Sequence, residues 1–227
     1  MRPCIHVVLS LFCTGCVLTG RPGENREKWG TYTSRIEDIQ VTCRFPAPRG
    51  NEPDHSPVVT PALLGEHSPV IGLVGTYLDF DGLVPYNSLP QYEVRVAIIA
   101  NDVQGMGVPT AAAVQGEWEN SIADRPEVLH ESHLLSHPEG TVFHIVFFHD
   151  KIEGNPVRGE TFAFPLAQSY HLVVDADYGR SMSGDPEWLA SRRGITEDIY
   201  KSIRIQRLPQ EPGITPKPLE PRDDGAP

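Results

Sequence analysis

The stretch Glu127-Val-Leu-His-Glu-Ser-His-Leu-Leu-Ser136, His137-Pro-Glu-Gly140, Thr141-Val-Phe-His-Ile-Val-Phe-Phe-His149 carries the clearest folding code in this 227-residue chain. Two β-rich runs flank a short turn holding Pro138 and Gly140, the pattern of a hairpin with a tight loop. The second run is apolar on both of its period-2 faces, with Val142, Val146 and Phe148 on one and Phe143, Ile145 and Phe147 on the other. Such a run predicts a strand covered on both sides. Placing Ser136 opposite Thr141 sets the register, and that register puts His133 opposite His144.

Working outward, Ile39 to Phe45 alternates Ile39, Val41, Cys43 and Phe45 with polar residues, which predicts a half-buried strand with Cys43 in the core. Val70 to Phe80, Tyr92 to Ala100, Gly159 to Pro165 and Tyr170 to Tyr178 also read as strands. Thr110 to Ala123 places Ala111, Val114, Trp118 and Ile122 at near-helical spacing behind a capping threonine. The strongest helix comes last. Asp185 suits the cap, Pro186 the first helical position and Glu187 the positive end, while Trp188, Ile195, Ile199 and Ile203 form one stripe. The expected fold class is α+β: an antiparallel β-sheet meander covered by this C-terminal amphipathic helix. Pro46 to Pro69, with six prolines, reads as a long irregular loop.

The N-terminus reads as an address. Met1-Arg-Pro-Cys precedes the apolar run Ile5 to Phe12 and then Cys13-Thr14-Gly15-Cys16. A basic start, a short apolar core and small residues before a cut describe a secretory signal peptide. A membrane span needs roughly 20 apolar residues, so this run is too short to be one. Thr14-Gly15 ahead of Cys16 resembles a bacterial lipobox. That resemblance implies that Cys16 is lipidated and becomes the mature N-terminus, and that the protein belongs to the cell envelope with its membrane reached through the lipid anchor. The expected organisation is then residues 1–15 signal peptide, 16–34 tether, 35–208 one folded domain and 209–227 a disordered Pro-rich tail. Cleavage before Cys16 removes Arg2 and takes the formal charge from −11 to −12. This acidity argues against nucleic acid as a partner, because phosphate binding relies on Lys and Arg. Cys43 is then the only free thiol, so no disulfide framework is expected.

A strand meander closed by an amphipathic helix that runs into Ser202-Ile-Arg-Ile205 resembles the PsbP-like α/β/α sandwich. That fold is used by secreted and lipid-anchored bacterial proteins and by proteins of the thylakoid lumen. The resemblance covers roughly Glu127 to Ile205, and it implies a binding or assembly module, with another envelope protein as a partner.

Candidate chemistry is sparse. Five of the nine histidines fall in the hairpin region, and the facing pair His133 and His144 offers two imidazoles to a transition metal such as zinc or copper. A stable site usually takes three or four ligands. His130-Glu-Ser-His133 lacks the zincin spacing, Asp79-Phe-Asp81-Gly82 lacks the further oxygens of a calcium loop, and Gln104-Gly-Met-Gly107 lacks the lysine of a phosphate loop. Asp175, Asp177, Asp185 and Glu187 surround the loop before the last helix and would do acid/base work if they shared a cleft. No catalytic residue is assigned and no cofactor beyond that metal is expected. Three classes of function stand: a lipid-anchored binding or protein-interaction module of the bacterial envelope, a periplasmic metal-binding protein, and a hydrolase.

Overall fold

The computed structural model describes residues 25–46, 70–79, 92–100, 110–123, 125, 128–150, 152–167, 170–179 and 184–209. Cys16 and the signal segment, most of the Pro-rich loop, Asp81-Gly82, the Gln104 to Gly107 stretch and nearly all of the C-terminal tail lie outside them.

The described residues are mainly strand, arranged as two antiparallel sheets. The smaller contains β1 (Gly30–Ile36), β2 (Ile39–Phe45) and β9 (Arg204–Arg207) in the order β1-β2-β9. The larger is built from β3 (Val70–Asp79), β4 (Tyr92–Ala100), β5 (His130–His137), β6 (Gly140–Phe148), β7 (Val157–Ala167) and β8 (Tyr170–Tyr178), in the order β3-β4-β8-β7-β6-β5. Helix α1 (Ala111–Ile122) lies between β4 and β5 in sequence, and α2 (Pro186–Ser202) precedes β9.

Alternation along each strand separates the larger sheet into two faces. On one, Ala97, Ile99, Phe143, Ile145, Ala163 and Val173 pack with Ala111, Val114, Trp118 and Ile122 of α1. Thr110 caps that helix, its hydroxyl accepting from Ala113 N at 3.1 Å. On the other face, Val94, Val96, Leu172, Val174 and Phe162 share a core with Val41, Cys43 and Phe45 of β2 and with Trp188, Ile195 and Ile199 of α2. Asp185 caps α2 by accepting from Glu187 N at 3.0 Å and Trp188 N at 3.1 Å.

The expected fold class is therefore corrected on two points. The strands do not form one meander: β4 pairs with β8, and the chain leaves β4 for the far edge before β5, β6, β7 and β8 return side by side. Nor does the C-terminal helix cover the sheet alone. A helix of 17 residues is roughly 25 Å long and about 10 Å wide, whereas six strands spaced ~4.8 Å apart spread over roughly 25 Å. One helix leaves much of that face open, and the small sheet covers it through Ile39, Val41, Cys43 and Phe45. The small sheet also begins earlier than expected, since Gly30 to Ser34, read as tether, belong to β1 and pair with β2.

The two edges of the larger sheet differ. On β3 the pairing with β4 shifts register twice, and Gly72 and Gly75 approach the small sheet so closely that an added Cβ would lie 3.3 Å from Ser34 Oγ and 3.5 Å from the Phe45 ring. At the other edge β5 pairs with β6 without a shift, from His130↔Phe147 to His137↔Gly140. Pro138 and Glu139 make the turn, and Gly140 takes φ +125°, where an L side chain is strained.

Candidate functional site

The described polar groups converge most densely beneath α2. Glu160 is the one acid in the run Gly159 to Pro165, and alternation places it on the same face as Phe162 and Phe164. It is 3% exposed. An ionised carboxylate only accepts hydrogen bonds, and Glu160 has four donors around it. His144 Nε2 donates to Oε2 at 3.1 Å, Arg193 Nη2 to Oε2 at 3.2 Å and Arg193 Nε to Oε1 at 3.4 Å, and the Tyr178 hydroxyl donates to Oε1. Because Tyr178 spends its proton there, its oxygen accepts from Thr196 Oγ1 at 3.0 Å, and Thr196 accepts in turn from the Tyr92 hydroxyl at 2.9 Å. Tyr92, Thr196 and Tyr178 thus form a chain of hydroxyls that ends on the carboxylate, with the Arg192 carbonyl, 3.4 Å from Thr196 Oγ1, as a second acceptor for the threonine proton.

Electrostatics fix the protonation of this cluster. Burial by itself raises the pKa of Glu160, but the bonds from His144, Arg193 and Tyr178 outweigh it and hold the carboxyl below its ordinary value. Burial pushes the Tyr178 and Tyr92 phenols up. At neutral pH the group is one carboxylate, one guanidinium and two neutral phenols. Aromatic packing continues it outward: His144 stacks on Phe162 with centroids 4.2 Å apart, and Phe162 on Tyr200 at 4.3 Å. His137 Nε2 donates to the Tyr200 carbonyl at 3.2 Å. Chemically the arrangement is a clamp between β6, β7, β8 and α2, with its acceptors filled by its own donors.

The facing histidines stand where register put them, His133 opposite His144 with ring centroids 6.1 Å apart. Their surroundings divide them. His144 Nε2 is engaged by Glu160, while His133 is half exposed with Nε2 3.7 Å from Glu131 Oε2. Among the described residues no group of three or more His, Cys, Asp or Glu side chains is arranged to hold a metal ion.

The four carboxylates near the last loop do not converge. Asp185 is occupied as the α2 cap, whereas Asp175 and Asp177 lie on the α1 side of β8, opposite Arg95 and Glu93 of β4. Thr161 Oγ1 donates to Asp175 Oδ1 at 2.6 Å. Burial, with smaller contributions from Asp177 and Glu93, pushes Asp175 up to about 6 against the opposing effects of Thr161 and Arg95. Cys43 is buried, and that burial pushes its thiol up to about 12, which makes it a core residue.

Glu160, Arg193, Tyr178, Thr196 and Tyr92 were not singled out by the sequence. The signal that points to them is a charge on an apolar face: Glu160 shares parity with Phe162 and Phe164, and His144 with Val142 and Val146. A buried charge implies a partner, and Arg193 on the following helix supplies it.

No helix among the described residues is long and apolar enough to cross a membrane. No protein-family model matches the sequence, and no curated protein matches it significantly. Among solved structures, that of cyanobacterial PsbP (CyanoP) from Synechocystis sp. PCC 6803 is a structural neighbour at 10% sequence identity, covering 79% of this chain and 93% of that chain with a TM-score of 0.39. A likeness at that TM-score carries no argument about this chain's function.

Proposed function

We propose that the chain is a lipid-anchored binding or protein-interaction module of the bacterial cell envelope. The observation that carries the module reading is the closure of the Glu160 cluster. Its carboxylate is 3% exposed and spends its acceptors on His144, Arg193 and Tyr178. Phenols raised by burial make poor bases at neutral pH, and a shielded carboxylate cannot reach a substrate. Among the described residues the densest set of acid/base groups therefore holds the fold, which leaves recognition to the surface. Anchoring rests on the small residues before Cys16.

Two measurements test the proposal. Palmitate labelling of the full chain in a bacterial host should mark the protein and place it in the membrane fraction, and Cys16→Ser should abolish both; a mature N-terminus elsewhere overturns the anchor. A panel of chromogenic esters, phosphates and glycosides should show no turnover above background. Turnover that falls in Glu160→Gln or Asp175→Asn would establish a hydrolase in place of a module.

A further inference from the structure

Among the described residues, the outer edge of β5 is a sheet edge without a strand beside it. Phe148 N donates to Leu129 O at 3.0 Å, so the 129–148 pair is hydrogen-bonded. Antiparallel pairs alternate, so the odd residues of β5 bond to β6, and Ser132, Leu134 and Ser136 direct their N–H and C=O groups away from the sheet. Among the described residues β5 pairs with β6 alone. Natural sheets protect such an edge with lysine, proline or a bulge. The described edge at β3 is bulged and curls onto the small sheet, whereas β5 is eight residues of unbroken register with Glu131 as its sole carboxylate or basic Lys/Arg position. At its centre Leu134 is 45% exposed, and with Leu129 it makes up the exposed large hydrophobics of the described residues.

We infer that β5 pairs with β5 of a second copy of this chain, antiparallel about a two-fold axis at Leu134. The inference deepens the binding-module reading and rests on it, by naming the strand and the partner. The sequence of β5, His130-Glu-Ser-His-Leu-Leu-Ser-His137, is nearly self-complementary in this register. Leu134 meets Leu134, Ser132 meets Ser136, His133 meets Leu135 and Glu131 meets His137 twice. Odd residues face odd and even face even, so each side chain keeps its own face of the joined sheet. The residues with outward backbone groups become the bonded pairs, which exchange about six N–H···O bonds. Shifting the axis to His133 would set Glu131 against Leu135, and shifting it to Ser132 would run Ser136 and His137 past Leu129, where the ladder with β6 begins. Charge does not oppose this place. The chain carries −11 overall with histidine neutral, and β5 contributes one carboxylate, Glu131, to that charge, so the strand itself adds little repulsion between two copies. An edge pairing of this length falls short of the ~1,600 Å² of a standard interface, which sets the association in the weak range.

A disulfide trap reads both the contact and its register. In the full chain, Leu134→Cys should give a covalent dimer under mild oxidation, since bonded antiparallel partners lie about 5.5 Å apart at Cα. Ser136→Cys alone should not, because its partner is Ser132, and Ser132→Cys with Ser136→Cys should restore the dimer. Leu134→Lys, at an exposed position, should keep the melting temperature and abolish self-association in analytical ultracentrifugation. Absence of the Leu134→Cys dimer overturns the pairing, as does equal trapping by Ser136→Cys or a dimer that survives Leu134→Lys. None of these outcomes affects the anchored-module reading, which is tested at Cys16 and by turnover.

Discussion

The two faces of the six-stranded sheet are closed by different physics. Against α1 the buried contact is apolar, with Trp118 set among Phe143, Phe147 and the rim residue His130, and the polar contacts of the helix, from Gln115 and Glu119 to Ser132, are confined to the β5 edge. Against α2 the sheet presents Glu160, His144, Tyr178 and Tyr92 within an otherwise apolar surface, and the helix answers with Arg193 and Thr196. An apolar face tolerates a helix that slides or turns, because dispersion and burial are not directional. A carboxylate met by a planar guanidinium accepts few poses. The α2 face therefore fixes orientation as well as area, and the α1 face supplies area.

The strongest way to break this contrast is to remove apolar bulk from each side. Trp118→Ala is expected to cost about 3–5 kcal/mol and Ile199→Ala about 2–5 kcal/mol in denaturant melts. Both side chains are almost fully buried. A negligible effect at either position would mean that the corresponding helix is not docked as described.

Glu160→Gln comes next. Arg193 is 42% exposed and can return to water, so the expected cost is about 1–3 kcal/mol. The folded pKa of Glu160 lies below its ordinary 4.5, so the stabilisation it gives is present above that value and is lost as pH falls through the folded pKa. The variant should lack this acid-dependent loss. If parent and variant lose stability in parallel on acidification, the clamp is not the source.

Gly116→Ala should act in the opposite direction. Nothing lies within 4 Å of a Cβ added there, and the gain in helix propensity is about 0.5–1 kcal/mol. A loss on thermal melting would show that α1 has a neighbour at that point.

The smallest effect at neutral pH is expected from His171→Leu. His171 is buried on the α1 side of β8, and neither ring nitrogen has a hydrogen-bond partner among the described residues. Burial lowers its pKa from 6.5 to about 4. Between those values the unfolded chain binds the proton more readily, so stability falls as pH drops from 6.5 toward 4. Asp175, raised from 3.8 to about 6, opposes this by gaining a proton in the folded state over much of the same window. Urea midpoints at neutral pH and at about pH 5 should therefore separate the variant from its parent only in acid.

Local patterning made some of these elements legible and long-range geometry hid the others. The β5–β6 register follows from turn chemistry and alternation between neighbouring residues, and so do the caps at Thr110 and Asp185. The small sheet does not follow. Gly30 to Ile36 alternates half-buried and exposed residues without a strong apolar face, and β9 is four residues long. Each becomes a strand through pairing with β2. Glu160 and Arg193 are likewise separated along the chain, and only the docking of α2 joins them.

The order β1-β2-β9 has a kinetic consequence. Val41, near the start of the described chain, pairs with Ile205, near its end, so the small sheet is incomplete until the last strand is available. Contacts of such high sequence separation must first overcome loop-closure entropy, and they form late. A nascent chain therefore has its β1–β2 hairpin but not the third strand that completes the sheet over α2's side of the core. The final folding step of the small sheet therefore waits for β9, the last of its three strands to be made.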